Sequence, residues 1–175
     1  MNAGQGFALW LTGLPASGKS SITRELVKKL EAQSIRAMVL ESDEMRKILT
    51  PQPEYTPDER DAFYRSLALI GELITRGNTH VIFDATANKR AYRDYARARI
   101  PKFVEIYVQC PLEVCRERDP KGIYSRASTG GAATVPGIQT PYEPPNDPEV
   151  ILDCRSSPEA GANVILDKLK QLLYI

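Results

Sequence analysis

The first thirty residues change their apolar spacing halfway along, and this change constrains the fold more than any other feature. Phe7–Thr12 is a continuous apolar run bounded by glycines, which is typical of a buried strand. From Lys19 onward the apolar residues recur every four positions, at Ile22, Leu26 and Leu30, which predicts an amphipathic helix. A buried strand that passes through glycines straight into a helix is the opening unit of an α/β fold.

The segment between that strand and that helix reads GLPASGKS and fits the pattern G-x-x-x-x-G-K-[ST] in full. Its glycines let backbone N–H groups curl around phosphate oxygens, and the helix N-terminus adds unpaired N–H groups and a positive dipole. Lys19 is placed to reach the β- and γ-phosphates of a purine nucleoside triphosphate, and the Ser20 hydroxyl to ligate Mg²⁺. A chance glycine turn is the alternative, but the strand–loop–helix context favours a phosphate loop. The candidate ATP-binding residues are Gly13, Leu14, Pro15, Ala16, Ser17, Gly18, Lys19, Ser20 and Ser21.

Short apolar runs alternate with helical patterns along the rest of the chain. Strands are predicted at Arg36–Leu40, His80–Phe83, Phe103–Val108 and Val150–Leu152, and helices at Glu41–Leu49, Pro57 to about Gly77, Lys89–Arg99, Leu112–Arg118 and Pro158–Leu172. This alternation predicts a three-layer P-loop NTPase fold, in which helices cover both faces of a five-stranded parallel sheet. The 175 residues suit a single P-loop domain over 1–175. The Gly- and Pro-rich segment of about 119–148 interrupts the alternation of strands and helices, and we expect it to act as a mobile lid.

Bulk composition excludes several classes of partner. Lysine and arginine number 23 against 22 acidic residues, a net charge of +1, so no overall field attracts nucleic acid or an anionic membrane. No apolar run reaches the roughly 20 residues of a membrane span, and the first residues lack the pattern of a signal peptide. Cys110, Cys115 and Cys154 form no C-x-x-C pair, so we expect reduced thiols in a cytoplasmic protein.

Polar side chains follow the second and third predicted strands, at the edge of the sheet where α/β proteins bind ligands. LESDEMR places Asp43 and Arg46 after the second strand; the carboxylate could orient an acceptor hydroxyl and the guanidinium could hold an anion. A helix cap with a solvated Arg46 is the alternative. FDATANKR places Asp84 and Thr86 after the third strand, followed by a basic stretch that a solvated helix face would also explain.

Together these segments resemble the adenylylsulfate (APS) kinases, from about Phe7 to Asp153. The phosphate loop is common to many kinases, whereas RDPKGIYSRA followed by TVPGIQTPYEPP is much more specific. The resemblance implies an ATP- and Mg²⁺-dependent enzyme of sulfate assimilation that phosphorylates the 3′-hydroxyl of APS to give PAPS. It also implies a homodimer and an ATP sulfurylase as a partner that supplies APS.

The resemblance implies roles residue by residue. Asp43 would lie near the acceptor hydroxyl, and Arg46, Arg60 and Arg65 would line the acceptor pocket. Lys121 and Tyr124 match the lid that closes over both nucleotides, and Thr86 matches a serine that is linked to a phosphoserine state in the family. Thr86 is therefore included with Lys19, Asp43 and Asp84 among the catalytic candidates.

Two departures from the family concern the acceptor. Asp84 and Val135 stand where the family has aromatic residues that sandwich the adenine of the acceptor, and base stacking contributes about 1–3 kcal/mol per base in nucleic-acid systems. Two alternatives to an APS kinase therefore stay open. One is a kinase of the same fold for another small hydroxyl compound, with Asp84 as the acceptor-positioning base. The other is a nucleotide-binding module without turnover.

Overall fold

The computed structural model describes residues 4–128 and 134–175, and its centre is a five-stranded sheet in which every pairing is parallel. The strand order is β2-β3-β1-β4-β5, so the strand that leads into the phosphate loop is the central one. The strands are β1 (Ala8–Thr12), β2 (Ala37–Glu41), β3 (His80–Asp84), β4 (Phe103–Gln109) and β5 (Val150–Asp153).

Helices cover both faces of the sheet. They are α1 (Lys19–Ala32), α2 (Ser42–Leu49), α3 (Pro57–Arg76), α4 (Arg90–Arg97), α5 (Leu112–Arg118), α6 (Ile123–Ser128) and α7 (Pro158–Gln171). Successive residues of β1 point to opposite faces, as a strand requires. Leu9 and Leu11 join a buried cluster with α1 and α7, whereas Ala8 and Trp10 join a second cluster with α3 and α4.

The predicted fold class is confirmed, and each predicted strand and helix is present within a few residues of its expected bounds. The difference lies in the expected lid, where Ile123–Ser128 forms a short helix that the Gly- and Pro-rich composition did not indicate. Within the described ranges, no helix is long and apolar enough to cross a membrane.

Candidate active site

The phosphate loop follows β1 and ends at α1, as its sequence predicts. Ala16 and Gly18 both have positive φ angles, 61° and 107°, which bend the backbone sharply before the helix. Gly18 is the N-cap of α1, and no side chain caps the first N–H groups of the helix. These donors are consequently available to an anion at the helix N-terminus.

The side chain of Lys19 folds back over the phosphate loop. Its Nζ donates to the carbonyl oxygens of Gly13 and Leu14, at 3.0 and 2.9 Å, and its side chain is almost fully buried. Burial lowers the pKa of Lys19, and the charge of Asp84 is the largest contribution that opposes this effect. The ammonium group therefore donates only to neutral carbonyl oxygens. A phosphate group can displace them, because its hydrogen bonds to the ammonium group are charge-assisted and stronger.

Two large cavities open beside the loop. The first, of about 570 Å³, is lined by the loop itself together with Arg24, Asp84 and Arg118; we call it the phosphate-loop cavity. The second, of about 650 Å³, is lined by Arg46, Arg60 and Val135 among others; we call it the arginine cavity. The lining residues common to both cavities are Pro15, Ser42, Asp43, Thr86, Lys121 and Ile123. The two cavities therefore meet in a region that contains a carboxylate and a lysine.

Asp43 and Lys121 form an ion pair at this junction. Lys121 Nζ lies 2.6 Å from Asp43 Oδ2 and 3.6 Å from Glu41 Oε1. The hydrogen bond from Lys121 to Asp43 raises the pKa of Lys121 above its ordinary value. Because both side chains remain about half exposed, either one is free to turn towards a ligand.

Arg60 is the most deeply buried cation of the arginine cavity. Its Nη2 donates to the carbonyl and hydroxyl oxygens of Thr134, at 2.5 and 2.6 Å, and its Nη1 to Asn88 Oδ1 at 3.3 Å. Among residues 4–128 and 134–175, no carboxylate lies within ion-pair distance of Arg60. Burial lowers the pKa of Arg60, and a charge held this way without a counterion favours binding of an anion.

Arg46 lies in the same cavity against aromatic rings. Its guanidinium carbon is 3.9 Å from the centroid of Phe63 and 5.2 Å from that of Tyr55, and its Nη1 is buried without a hydrogen bond in the described part of the chain. Glu59 lies 3.7 Å away. The alternative of a solvated Arg46 is therefore wrong, because stacking on the rings fixes the guanidinium at the cavity wall.

Two of the substrate-binding candidates, Arg65 of the acceptor pocket and Tyr124 of the lid, line neither large cavity. Arg65 is exposed on the far side of α3, where its guanidinium faces Tyr95 at 5.5 Å, and it lines neither large cavity. Five residues separate it from Arg60, which is roughly 140° of rotation around a helix, so the two side chains diverge. Tyr124 is 2 % exposed and lines neither cavity; its hydroxyl donates to the Pro15 carbonyl oxygen at 2.9 Å. Tyr124 therefore fastens α6 to the phosphate loop.

Asp84 at the end of β3 and Thr86 just after it differ in the cavities that they line. Thr86 lines both, whereas Asp84 lines only the phosphate-loop cavity, so the expectation that Asp84 faces the pocket of Val135 is wrong. The basic stretch is not a solvated face either, since Arg93 is 1 % exposed and its Nε donates to Glu105 Oε1 at 2.6 Å. Arg93 also donates to the Ala87 carbonyl oxygen, which ties the loop after β3 to the sheet.

Sequence reasoning missed the aromatic wall of the arginine cavity. Tyr55 and Tyr64 both line it, and the Tyr64 hydroxyl accepts a hydrogen bond from the Ala87 N–H at 3.1 Å. Sequence reasoning did not foresee the role of Asn88, which joins Arg60 to the carbonyl oxygen of Pro141. The helical pattern of α3 marks Tyr64 only as a core residue, so no local signal identifies it as part of a site.

Comparison with known proteins agrees with this geometry. The family model for adenylylsulphate kinase matches residues 5–153. The chain belongs to the adenylylsulphate kinase family. An adenylyl-sulfate kinase of Gloeothece citriformis is 40% identical over 174 residues, covering 98% of each chain. A probable bifunctional SAT/APS kinase of Sorangium cellulosum is 37% identical over 97% of this chain and 29% of its own length.

A solved family structure extends the likeness to three dimensions. The APS kinase of Mycobacterium tuberculosis, solved in complex with AMPPNP and APS, is 30% identical and superposes with a TM-score of 0.90. The match covers 95% of this chain and 98% of that one. The adenylylsulphate kinase fold therefore extends over nearly all of the present chain, both cavities included.

Proposed function

We propose that this chain is an adenylyl-sulfate kinase, which transfers the γ-phosphoryl group of ATP to the 3′-hydroxyl of adenosine 5′-phosphosulfate. The products are 3′-phosphoadenosine 5′-phosphosulfate and ADP. The observation that carries this proposal is the meeting of the two cavities at Asp43 and Lys121. One cavity has a phosphate loop for the donor, and the other has a buried arginine without a carboxylate for an anionic acceptor.

Family membership supports this choice of reaction over the other two hypotheses. A kinase for a different small hydroxyl compound needs an acceptor beside Asp84, and Asp84 faces the phosphate-loop cavity alone. A module without turnover has no use for a second cavity that meets the first at a charged pair.

The mechanism is an in-line transfer that depends on positioning and charge neutralisation. The Lys19 ammonium leaves the loop carbonyl groups and binds the β- and γ-phosphate oxygens. Asp43 accepts a hydrogen bond from the 3′-hydroxyl and takes its proton as the oxygen bonds to the γ-phosphorus. The bond from that phosphorus to the β,γ-bridging oxygen breaks, and the bridging oxygen leaves with ADP.

The acceptor is held from the opposite side by the arginine cavity. Arg60 and Arg46 offer guanidinium groups to the sulfate and phosphate of APS, and planar guanidinium groups suit such tetrahedral anions. Tyr55 and Tyr64 supply aromatic surface in the same cavity, which is also lined by the aliphatic side chain of Val135. These rings are the candidates for contact with the adenine of APS. Arg65 has no part in this arrangement.

The residues of the phosphate-loop cavity fit a magnesium ion carried by the nucleotide. Within the described ranges, no group of three His, Cys, Asp or Glu side chains could hold a metal alone, and Mg²⁺ usually binds through substrate phosphates plus one or two protein oxygens. The Ser20 hydroxyl and a carboxylate would supply those oxygens. When bound, the ion neutralises charge on the β- and γ-phosphates.

We also propose that the segment of about 119–148 acts as a lid. Lys121 lies at the junction of both cavities, and Arg126 and Val135 line the arginine cavity, so closure of this segment excludes water from both substrates. Residues 129–133 lie outside the described part of the chain. Phosphorylation of Thr86 is not needed for this mechanism, because both substrates meet without a phosphoenzyme.

We also propose partners and a cellular location for this chain. The fused relative supports an ATP sulfurylase as the source of APS, since its name joins the two activities. A second copy of this chain could cover the edge strand β2, where Met38 and Val39 are 52% and 41% exposed. A reducing, cytoplasmic location suits three cysteines that are all buried and free.

The proposal is tested by supplying purified protein with MgATP and APS and separating the nucleotides by ion-exchange chromatography. PAPS and ADP should form in equal amounts, and Asp43→Asn should lower kcat by about 10²–10⁴-fold with little change in ATP binding. ADP formation with gluconate or another sugar but not with APS would reject the proposed acceptor.

A further inference from the structure

Asn88 is a buried amide whose two ends face partners of opposite kind. It lies in the loop after β3 and is 2% exposed. Its Oδ1 accepts a hydrogen bond from Arg60 Nη1 at 3.3 Å, and its Nδ2 donates one to the carbonyl oxygen of Pro141 at 3.1 Å. Because a guanidinium group only donates and a carbonyl oxygen only accepts, the side chain between them must do both. An amide can, whereas an ionised carboxylate could satisfy Arg60 but not Pro141.

The backbone around Asn88 is held in an uncommon conformation. Ala87 has a positive φ angle of 43°, which a residue with a side chain keeps only where its neighbours hold it. The Ala87 N–H donates to the Tyr64 hydroxyl at 3.1 Å, and its carbonyl oxygen accepts from the buried Arg93. The Asn88 carbonyl oxygen accepts from the Glu143 N–H at 2.8 Å. These contacts fix the direction in which the Asn88 amide points.

Within the part of the chain that the structure describes, every hydrogen-bond partner of the Arg60 guanidinium is uncharged. Besides Asn88, these partners are the carbonyl oxygen of Tyr55 at 3.3 Å and the two oxygens of Thr134. Burial and the charge of Arg46 lower the pKa of Arg60, so the cavity holds two cations that repel each other. Asn88 therefore orients Arg60 without neutralising the charge that attracts an anion.

The two terminal nitrogens of Arg60 differ in what holds them. Nη1 is bonded to Asn88 in the loop after β3, whereas Nη2 is bonded to Thr134 in the segment of about 119–148. An anion that enters the arginine cavity can take the place of Thr134 at Nη2 while Asn88 keeps Nη1 in position. Because the guanidinium is already oriented, less conformational freedom is lost when the anion binds.

We propose that Asn88 is a positioning residue that sets the affinity of the arginine cavity for the anionic part of the acceptor. Its neutral amide orients Arg60, leaves the guanidinium charge uncompensated, and links it to Pro141. The inference rests on the proposed function for the identity of the acceptor, APS. Inorganic sulfate tests the same role without that acceptor.

Two substitutions of Asn88 separate orientation from charge. Asn88→Asp keeps an acceptor for Arg60 but neutralises it, so the KM for APS should rise about 10–100-fold. Asn88→Ala removes both side-chain hydrogen bonds, and the KM for APS should rise about 3–10-fold. In both variants kcat and the KM for ATP should change less than about threefold. The control Asn163→Asp adds the same charge at an exposed position of α7 and should match the wild type.

Melting temperatures distinguish this role from a merely structural one. Asn88→Asp gives a buried cation a counterion, so it should melt at a higher temperature than Asn88→Ala although it binds APS more weakly. A merely structural role predicts that the less stable variant binds APS more weakly. If Asn88→Asp does not fold, Asn88→Ser replaces it, and its shorter side chain should raise the KM for APS as Asn88→Ala does.

Sulfate binding is measured on the MgADP complex, in which the nucleotide occupies the phosphate loop. Sulfate should raise the melting temperature of the wild type and of Asn163→Asp, and the concentration for half of this effect should be about tenfold higher in Asn88→Asp. A KM for APS and a sulfate affinity in Asn88→Asp equal to those of the wild type would overturn the proposal, and so would KM values that follow the loss of stability.

Failure of the proposed function gives a different result. A wild-type protein that makes no PAPS, but whose affinity for sulfate falls in Asn88→Asp, would refute APS as the acceptor and leave the role of Asn88 intact. A wild-type protein that makes no PAPS and gains no stability from sulfate would refute both.

Discussion

The ammonium group of Lys121 lies 2.6 Å from the carboxylate of Asp43, at the junction of the phosphate-loop and arginine cavities. They lie 78 positions apart in sequence, and the contact joins the segment of about 119–148 to the first turn of α2. Only Oδ2 of Asp43 is engaged by Lys121, but the positive charge beside it makes the carboxylate a weaker base for an acceptor hydroxyl. In the proposed mechanism, substrate binding exchanges this pair for two new contacts, Asp43 with the acceptor and Lys121 with phosphate oxygens.

The first prediction concerns this exchange. Lys121→Met should lower kcat at least tenfold, because the lysine is lost from the phosphates as they acquire charge in the transition state. The free energy of unfolding should change by less than about 1 kcal/mol, since the ion pair is about half exposed. Steady-state kinetics and urea unfolding measure the two effects. Lys28→Met is the matched control, because Lys28 forms an ion pair with Glu25 and neither residue lines a cavity, so its kcat should equal that of the wild type.

The second prediction concerns Lys19. Lys19→Met keeps much of the buried stem but removes the ammonium group, so kcat should fall by about 10²-fold or more while the fold is retained. The loop carbonyl groups of Gly13 and Leu14 lose a donor, which should make the loop more susceptible to hydrogen exchange. Single-turnover kinetics and exchange mass spectrometry follow the two effects. A variant that retains half of the wild-type rate would contradict the role given to Lys19.

These two sites differ in how far the sequence predicts them. Lys19 and Ser20 belong to a local pattern, in which chain neighbours fix the geometry, and the structure places both at the phosphate-loop cavity as expected. The five parallel strands follow from local apolar runs in the same way. The pairing of Lys121 with Asp43 depends instead on how the lid segment returns across the sheet, and no local spacing reports that.

The sequence-based expectations that fail also concern contacts that depend on tertiary packing and not on local spacing. Arg65 was placed in the acceptor pocket by analogy with relatives, but the rotation of α3 turns it outwards. The solvated helix face that stayed open for the basic stretch after β3 does not hold for Arg93, because its partner Glu105 on β4 makes it part of a buried ion pair. Asp84 was expected opposite Val135, and strand order assigns it to the other cavity because β3 lies next to β1.

The third prediction separates the two arginines of α3. Arg60→Lys should raise the KM for APS by about 10–100-fold, because a charged hydrogen-bonding group contributes about 1.5–3 kcal/mol and lysine cannot reproduce its planar set of donors. Arg65→Lys should leave the KM for APS within about twofold of the wild type. Initial-rate measurements at saturating MgATP compare the variants. Equal increases in both would show that Arg65 reaches the acceptor after all.

The fourth prediction uses His80, the sole histidine of the chain. Its Nδ1 accepts a hydrogen bond from the Phe7 N–H at 3.1 Å, and its ring stacks on Phe7 with centroids 3.9 Å apart. Burial and the charge of Lys102 lower the pKa of His80. Since the unfolded chain titrates near the ordinary value of about 6.5, it binds more protons than the folded chain just below that pH.

The sign of the pH effect follows from this difference. The stability that neutral His80 contributes is present above pH 6.5 and is lost as the pH falls towards the folded-state pKa, because protonation removes the acceptor at Nδ1. Urea unfolding at pH 7.5, 6.5 and 5.5 should therefore show a decline in the free energy of unfolding. His80→Asn keeps an acceptor at the position of Nδ1 but cannot titrate, so its decline over the same range should be smaller. Parallel pH profiles for the two proteins would show that His80 is not the titrating group.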